Sequence, residues 1–498
     1  MQIALVLLSA ALMWASFPPL NLGFLVFVAP IPFLWVLRRV DSARKAGWFG
    51  LVFGAAFLGG MLWWIFILGA VAWFPLTIVM GLWFTGYALV LYAGRDLSAM
   101  RWWVLAVGAW AAMEFLRARF PFGGFPWGSA GHPIGTIPGA RGAAQWIGPT
   151  GWGVLVVAFA AGVAVMFEEE RDRRWLEVSA ITIVVLTFLG ALFQPSAGGP
   201  AVRVAVAQGN SPCPRVHCDG EKQAIYQSHL GLTSTIEADA VDLVVWPEDS
   251  FGGQFNPTFN SEIAAQMAGE AVRVDAYLIA GGTRSAGPGF FENLNLVFSP
   301  RGAIIGEYLK RHPVPFGEYV PLRGLFEVVP QLAEVPNDLV PGSGPVVFPM
   351  RTDDGERWFG SLISFEGAFV RYMRSEVNAG ARLMVVATNH GSYGRTPASD
   401  QFIGIVRMSA VSLGVDVVHG AVTGRTTIIR ADGSVARKTD QFEATLYSGV
   451  VRFQDSPRTL YAIAGDWLQI LAMAAGLIAL VGFGEGRRGF RVRRERGR

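Results

Sequence analysis

Charged residues are scarce in this 498-residue chain: Asp, Glu, Lys and Arg together make up 16% of it, against about 25% in an ordinary soluble domain. That deficit argues against a typical soluble protein and for one embedded in a membrane. Cysteine is almost missing, with Cys213 and Cys218 in "PCPRVHC" the only two. There is no second pair, and His217 is the only extra ligand nearby, so a zinc site is the weaker reading. A disulfide closing this short loop in an oxidising compartment is the stronger one. No internal repeat and no low-complexity tract is present. No G-x-S-x-G surrounds any serine of interest.

What the chain has in abundance is apolar: 52% hydrophobic residues, with 17 Trp and 35 Phe. They are concentrated in residues 1–193 and 466–484, whereas 200–465 has ordinary globular composition. A membrane span needs roughly 17–25 mostly apolar residues. Candidate spans lie at about 3–20, 22–37, 48–70, 72–93, 102–118, 151–167, 177–194 and 466–484, giving about eight. The first lacks the charged start and small-residue cleavage site of a signal peptide, and is expected to be retained.

Charge placement orients the spans. Arg38, Arg39, Arg44 and Lys45, then Arg95 and Arg101, then Arg171, Arg173 and Arg174, occupy alternate short loops. The positive-inside rule puts all three loops in the cytoplasm and residues 195–465 outside. The tail "RRGFRVRRERGR" falls inside, where it also meets anionic headgroups. The formal net charge of +3 therefore says little about nucleic acid. The expected domains are a membrane part (1–194, seven helices), an outside part (195–465), and a last helix with a basic tail (466–498).

The outside part alternates strands with helices. "VRVAVAQGN", "VDLVVWPED", "AYLIAGG", "LNLVFSP", "AIIGEYLK", "PVVFPM", "WFGSLIS", "RLMVVATN" and "VVHGAVTG" read as strands. Helices are expected at about 219–238, 259–273 and 400–414. "TTIIRADGSV" reads as a hairpin turning at Asp432–Gly433. This is an α/β layered domain. Three strand ends carry Glu248, Lys310 and Ser364, and ligand sites of α/β sheets gather beyond the carboxyl ends of strands. A carboxylate, an ammonium and a hydroxyl are the parts acyl transfer needs: a base, a fixed positive charge for the developing oxyanion, and a nucleophile. Singly, each has a bland reading, as a solvated strand end, a surface lysine and a helix N-cap.

Together, "VVWPEDSF", "YLKRHPVPFGEYVPL" and "LISFEGAF" resemble the nitrilase, or carbon–nitrogen hydrolase, superfamily. Apolar spans before and after them narrow the resemblance to the bacterial apolipoprotein N-acyltransferase family. "FPFGGFPWGSAGHPIG" (120–135) is similar to an outward loop of that family. The resemblance implies an αββα sandwich outside a multi-pass membrane domain in the bacterial inner membrane. It also implies transfer of an acyl chain from a phospholipid to the N-terminal amine of a diacylglyceryl-cysteine lipoprotein, through an acyl-enzyme. No cofactor and no metal is implied, and a monomer is expected. Carried over, Glu248 is the general base and Lys310 the oxyanion-stabilising cation. Ser364 stands at the nucleophile position, with Glu318 and Glu366 in support. Glu366 has an equally good reading as a first-turn glutamate favoured by the helix dipole.

The sequence departs from the family at the site. Ser364 stands where the family has cysteine, Phe365 where it usually has tyrosine, and Cys218 where a tryptophan is typical. "TNHGSYG" (388–394) replaces a motif closer to N-D-x-W-F-G. A serine hydroxyl is far less acidic than a thiol and must lose its proton to a base during attack. Two alternative bases remain open: a neutral, desolvated Lys310, or His390 or His419 in a Ser-His-Asp arrangement. Two functions also remain open, an acyltransferase slowed by its serine or a catalytically silent homologue that binds lipid or lipoprotein or partners an active enzyme. In loop 312–344, Phe316, Tyr319, Leu322, Leu325 and Phe326 form either an apolar arm over a lipid-facing cleft or ordinary packing.

Overall fold

The computed structural model describes residues 1–166, 173–213, 218–326 and 329–495. Two compact units emerge, Met1–Gln194 with Ala464–Arg498, and Pro195–Ile463.

The first unit is helical. Among the described residues three helices, Ala70–Ala93, Ala144–Val165 and Arg174–Leu192, are long and apolar enough to cross a membrane. Several expected spans are not single long helices. Residues 22–37 break into a 3₁₀ segment (Gly23–Phe27) and a short helix (Ile31–Arg38) around Pro30. Residues 48–70 divide into a helix (Ala43–Gly54), a π turn (Ala55–Gly59) and a 3₁₀ segment (Trp63–Leu68). Just before the π turn, helix Ala43–Gly54 comes close to helix Ala70–Ala93. A Cβ on Gly54 would sit 2.9 Å from the Gly81 Cα and 2.6 Å from the Phe84 ring. Small residues let two backbones approach where apolar surroundings supply no other drive to pack. The loop 120–135 is tied to the end of helix Ala99–Arg117: Glu114 accepts from the Ser129 hydroxyl and the Ala130 N–H, each at 2.9 Å. Of the orienting basic residues Arg171 lies outside the described residues, as do 496–498 of the tail.

The second unit is a sandwich of two sheets. Its strands are β1 (Ala201–Gln208), β2 (Leu243–Phe251), β3 (Tyr277–Ser285), β4 (Phe290–Phe298), β5 (Ile304–Leu309), β6 (Asp338–Leu339), β7 (Val347–Thr352), β8 (Gly355–Ile363), β9 (Leu383–Thr388), β10 (Val417–Ala421), β11 (Thr427–Ile429) and β12 (Thr445–Arg452). One sheet runs β12-β1-β2-β3-β4-β5 with β6 on β4, the other β11-β10-β9-β8-β7. β1–β2–β3 and β8–β9–β10 are parallel. Their near-continuous apolar runs, such as the wholly buried β9, suit strands covered on both faces.

Helices Glu221–Ser234 and Ser261–Val274 cover the first sheet, where Tyr226, Ile263 and Met267 pack on Trp246, Leu278 and Leu296. Helices Val370–Ala379 and Ala398–Leu413 belong to the second sheet's layer, burying Met373, Val377, Phe402 and Val406. Between the sheets, Asn295 of β4 donates to the Ser361 hydroxyl of β8 at 2.6 Å. The result is an α–β–β–α layering. The edge strand β12 is absent from the sequence reading, and the helix expected straight after Ser364 is a 3₁₀ turn (Ser364–Ala368) followed by the helix Val370–Ala379. β12 alternates half-exposed and exposed positions, so it lacks the apolar run by which the other strands declare themselves.

Candidate active site

Glu248 lies within β2 rather than at its end. The pairing of β2 with β3 shifts register between Trp246 and Phe251, a bulge that lets the strand continue past Glu248. Bulges of this kind re-aim side chains beside active sites. The neighbouring strand accommodates it because residue 281 is glycine. A Cβ there would meet the Pro247 carbonyl oxygen at 2.6 Å and the Glu248 Cα at 2.9 Å.

Lys310 follows β5 immediately and is 1% exposed. Its Nζ lies 2.6 Å from Glu318 Oε1 and 3.3 Å from Glu248 Oε1. Asn293 of β4 donates to Glu248 Oε1 at 2.9 Å, and the Asn389 N–H donates to Glu248 Oε2 at 2.9 Å. The Val314 N–H holds Glu318 Oε2 at 2.8 Å. Two carboxylates thus share one ammonium. Burial pushes the Glu248 carboxyl up to about 7, against the pull of the Lys310 ammonium, with Asp249 and Glu318 adding to the rise. Burial opposes the Lys310 charge too, but Glu318 and Glu248 outweigh it and hold its pKa above the ordinary value. Lys310 is therefore a fixed cation. The reading of a neutral lysine base is overturned by the two carboxylates against it.

Ser364 follows β8 and opens a 3₁₀ turn (Ser364–Ala368). Its φ of +51° is left-handed, a conformation that costs a non-glycine residue about 1–3 kcal/mol and persists only where surroundings impose it. Glu366 supplies the constraint. One carboxylate oxygen accepts the Arg311 N–H at 2.5 Å and the His312 N–H at 3.1 Å. The other accepts the Ile363 N–H at 2.9 Å and the Tyr308 hydroxyl at 2.8 Å. A single buried side chain therefore fastens the turn carrying Ser364 to the backbone just after Lys310 and to the Tyr308 side chain just before it. The first-turn dipole reading of Glu366 is too small for this arrangement. Arg311 extends the brace, reaching Glu376 at 2.7 Å and the Ser375 hydroxyl at 3.0 Å.

The geometry thus brings Glu248, Lys310 and Glu318 into contact and ties the Ser364 turn to them through Glu366. The half-buried Ser364 hydroxyl itself bonds no described residue. A base, a fixed cation and a hydroxyl held at a strained strand-to-helix turn can perform acyl transfer.

Comparison with known proteins agrees with this chemistry. Residues 9–162 match the apolipoprotein N-acyltransferase N-terminal domain, and residues 203–456 match the carbon-nitrogen hydrolase domain. The apolipoprotein N-acyltransferase of Geobacter metallireducens is 30% identical, covering 96% of this chain and 94% of that protein. That of Rhizobium meliloti is 31% identical over 84% of this chain and 82% of its own, and that of Gloeobacter violaceus 28% over 93% and 90%. The chain belongs to the apolipoprotein N-acyltransferase family.

The histidine alternatives find no support in this family member's geometry. His390 and His419 are buried side by side, ring centroids 5.7 Å apart. Neither reaches a carboxylate: His419 Nδ1 pairs with the Arg425 carbonyl oxygen at 3.0 Å, and both His390 ring nitrogens are unpartnered among the described residues. Asp416, the aspartate nearest His419 in sequence, is bound instead to Arg430 and to the N–H groups of Ala431 and Arg452. Cys213 and Cys218 form a disulfide. The zinc alternative rested on His217, which lies outside the described residues, and the described residues hold no cluster of metal-ligating side chains. In loop 312–344, Phe316 packs edge-on against Phe326, while Leu322 and Leu325 are largely exposed. Residues 327–328 lie outside the described residues.

Asn293, Asn389, Asp249 and Tyr308 were missed at the sequence level. Asn293 stands immediately before the run "LNLVFSP" read as a strand. The others carried no signal, because their contacts link segments far apart in the chain.

Proposed function

We propose that the chain is an integral-membrane acyltransferase of the bacterial inner membrane, with its nitrilase-like unit on the extracytoplasmic face. It moves an acyl chain from a phospholipid to the N-terminal amine of a diacylglyceryl-cysteine lipoprotein through an ester on Ser364. The observation that carries this is the Glu248–Lys310–Glu318 cluster fastened by Glu366 to the strained Ser364 turn, in a chain of this family. In the first half-reaction Glu248 takes the Ser364 hydroxyl proton as the oxygen attacks the phospholipid ester carbonyl. Lys310 stabilises the oxyanion, and the lysophospholipid leaves with a proton. In the second, the lipoprotein amine attacks the Ser364 ester, forms the amide and returns the proton to the serine oxygen. A serine hydroxyl is harder to deprotonate than a thiol, and its ester is less reactive toward an amine than a thioester, so both steps are slow relative to a cysteine enzyme.

The alternate basic loops and the three long apolar helices support a multi-pass topology. About eight segments traverse the bilayer, some of them broken helices. Leu322 and Leu325 serve as part of an apolar arm that meets lipid. The protein works without metal or organic cofactor, as a monomer.

The test is transfer from phospholipid to a synthetic diacylglyceryl-cysteine lipopeptide by the purified chain, read by mass spectrometry of the peptide. Wild type is expected to transfer slowly, Ser364→Cys faster and Ser364→Ala not at all. A Ser364→Ala variant as active as wild type overturns the assignment. No transfer by wild type or by Ser364→Cys favours the silent homologue.

A further inference from the structure

The residue after Glu248 is a second acid. Asp249 has a φ of +64°, a left-handed backbone that only surrounding contacts can maintain. Asn389 Nδ2 donates to Asp249 Oδ2 at 2.9 Å, and Lys222 Nζ stands 3.6 Å from Asp249 Oδ1. Asn389 is also the residue whose backbone N–H holds Glu248 Oε2 at 2.9 Å, and its Oδ1 is fixed by the Gly391 N–H at 3.0 Å. Lys222 comes from the first turn of helix Glu221–Ser234. The neighbouring Glu221 accepts from the Ser211 hydroxyl at 2.7 Å. A chain of polar contacts therefore runs Lys222–Asp249–Asn389–Glu248 and joins three separate elements.

This arrangement puts a second carboxylate beside a buried one, in a strained backbone, and then partly neutralises it with a lysine. Packing alone gives no reason for that. We propose that Asp249 is a positioning residue for Glu248: it orients Asn389 so that the Asn389 N–H fixes one Glu248 oxygen, and its charge, moderated by Lys222, sets how readily Glu248 takes a proton. The proposal rests on Glu248 being the general base, and deepens that reading by naming what tunes it. The groups facing Glu248 are Lys310 after β5, Glu318 from the following loop, Asn293 of β4, Asp249 of β2, and Tyr393 from the turn after β9. Asp249 is connected to a half-buried cation outside the cluster, Lys222. Burial opposes the Asp249 charge, but Lys222 and Asn389 hold its carboxyl below the ordinary value, so it is negative wherever Glu248 titrates.

Asp249 and Lys222 act on Glu248 with opposite sign. Asp249→Asn removes a negative charge near Glu248 while keeping an oxygen for Asn389. Lys222→Met leaves that negative charge uncompensated. The experiment follows the Glu248 carboxyl by pH-difference infrared spectroscopy of the full-length protein, with Glu248→Gln identifying its band. The Glu248 midpoint is expected to fall by roughly one pH unit in Asp249→Asn and to rise by about half a unit in Lys222→Met. Midpoints that stay put in both variants, or move in the same direction, overturn the proposal. The transfer assay is run in parallel: midpoints that shift as expected in the two variants, with a wild type that moves no acyl chain, count against the function and not against this coupling.

Discussion

Glu366→Gln tests how the site is held together. Glu366 is fully buried and accepts four hydrogen bonds. A glutamine keeps one acceptor oxygen and substitutes an NH₂ for the other. Its better orientation leaves the oxygen with the Arg311 and His312 N–H groups, because the Tyr308 hydroxyl can turn and accept from the NH₂. The Ile363 N–H then faces a donor and is unsatisfied, at about 1–3 kcal/mol. The two retained bonds lose their charge assistance, about 1 kcal/mol each. The total is roughly 3–5 kcal/mol. At about 2–4 °C per kcal/mol for a domain of this order of size, melting of the nitrilase-like unit falls by roughly 10 °C. The assay is thermal unfolding of the purified protein in detergent by near-ultraviolet circular dichroism, with transfer measured well below the melting point. Because the Ser364 turn is what Glu366 fastens, transfer falls along with stability. A variant that melts within about 2 °C of wild type refutes the bookkeeping. One that melts low but transfers normally refutes the link to Ser364.

Three further outcomes follow from the same geometry. Lys310→Met removes the cation that two carboxylates share, and transfer falls at least about 100-fold, the scale seen when an oxyanion donor is lost; an initial rate within fivefold of wild type contradicts its role. Glu248 acts as a base only when deprotonated, and burial raises its carboxyl to about 7. Transfer therefore rises as pH climbs through about 7 and is lost below it, and a pH–rate profile whose acid limb lies near 4 contradicts the assignment. Replacing Cys213 and Cys218 together by serine opens a loop with a sequence separation of 5. Loop entropy predicts a loss of about 2 kcal/mol in denaturant unfolding, and an unchanged midpoint counts against it.

The layered domain was legible because its central strands are apolar runs bounded by Pro and Gly, and because "VVWPED", "YLK" and "LISFEG" place their polar residues directly at those runs. What was not legible is what depends on contacts between distant segments. Glu248 reads as a strand end, yet a bulge carries β2 on to Phe251. Glu366 reads equally well as a supporting acid or a first-turn acid, and only the meeting of Tyr308, Arg311 and His312 with the Ile363 turn shows what it holds. Lys310 reads as a lysine of either charge state, and only the meeting of Glu248 with Glu318 fixes it as a cation. In the first unit, hydropathy registers that 22–37 and 48–70 are apolar but not that a break around Pro30 and a π turn at Ala55–Gly59 interrupt their helices.

The most direct test is intact-protein and peptide mass spectrometry of the wild-type chain after incubation with phospholipid alone. An acyl chain is expected on residue 364, released when lipopeptide is added and absent from Ser364→Ala. Persistent transfer with no adduct at 364, or an acyl group carried on a different residue, contradicts the account.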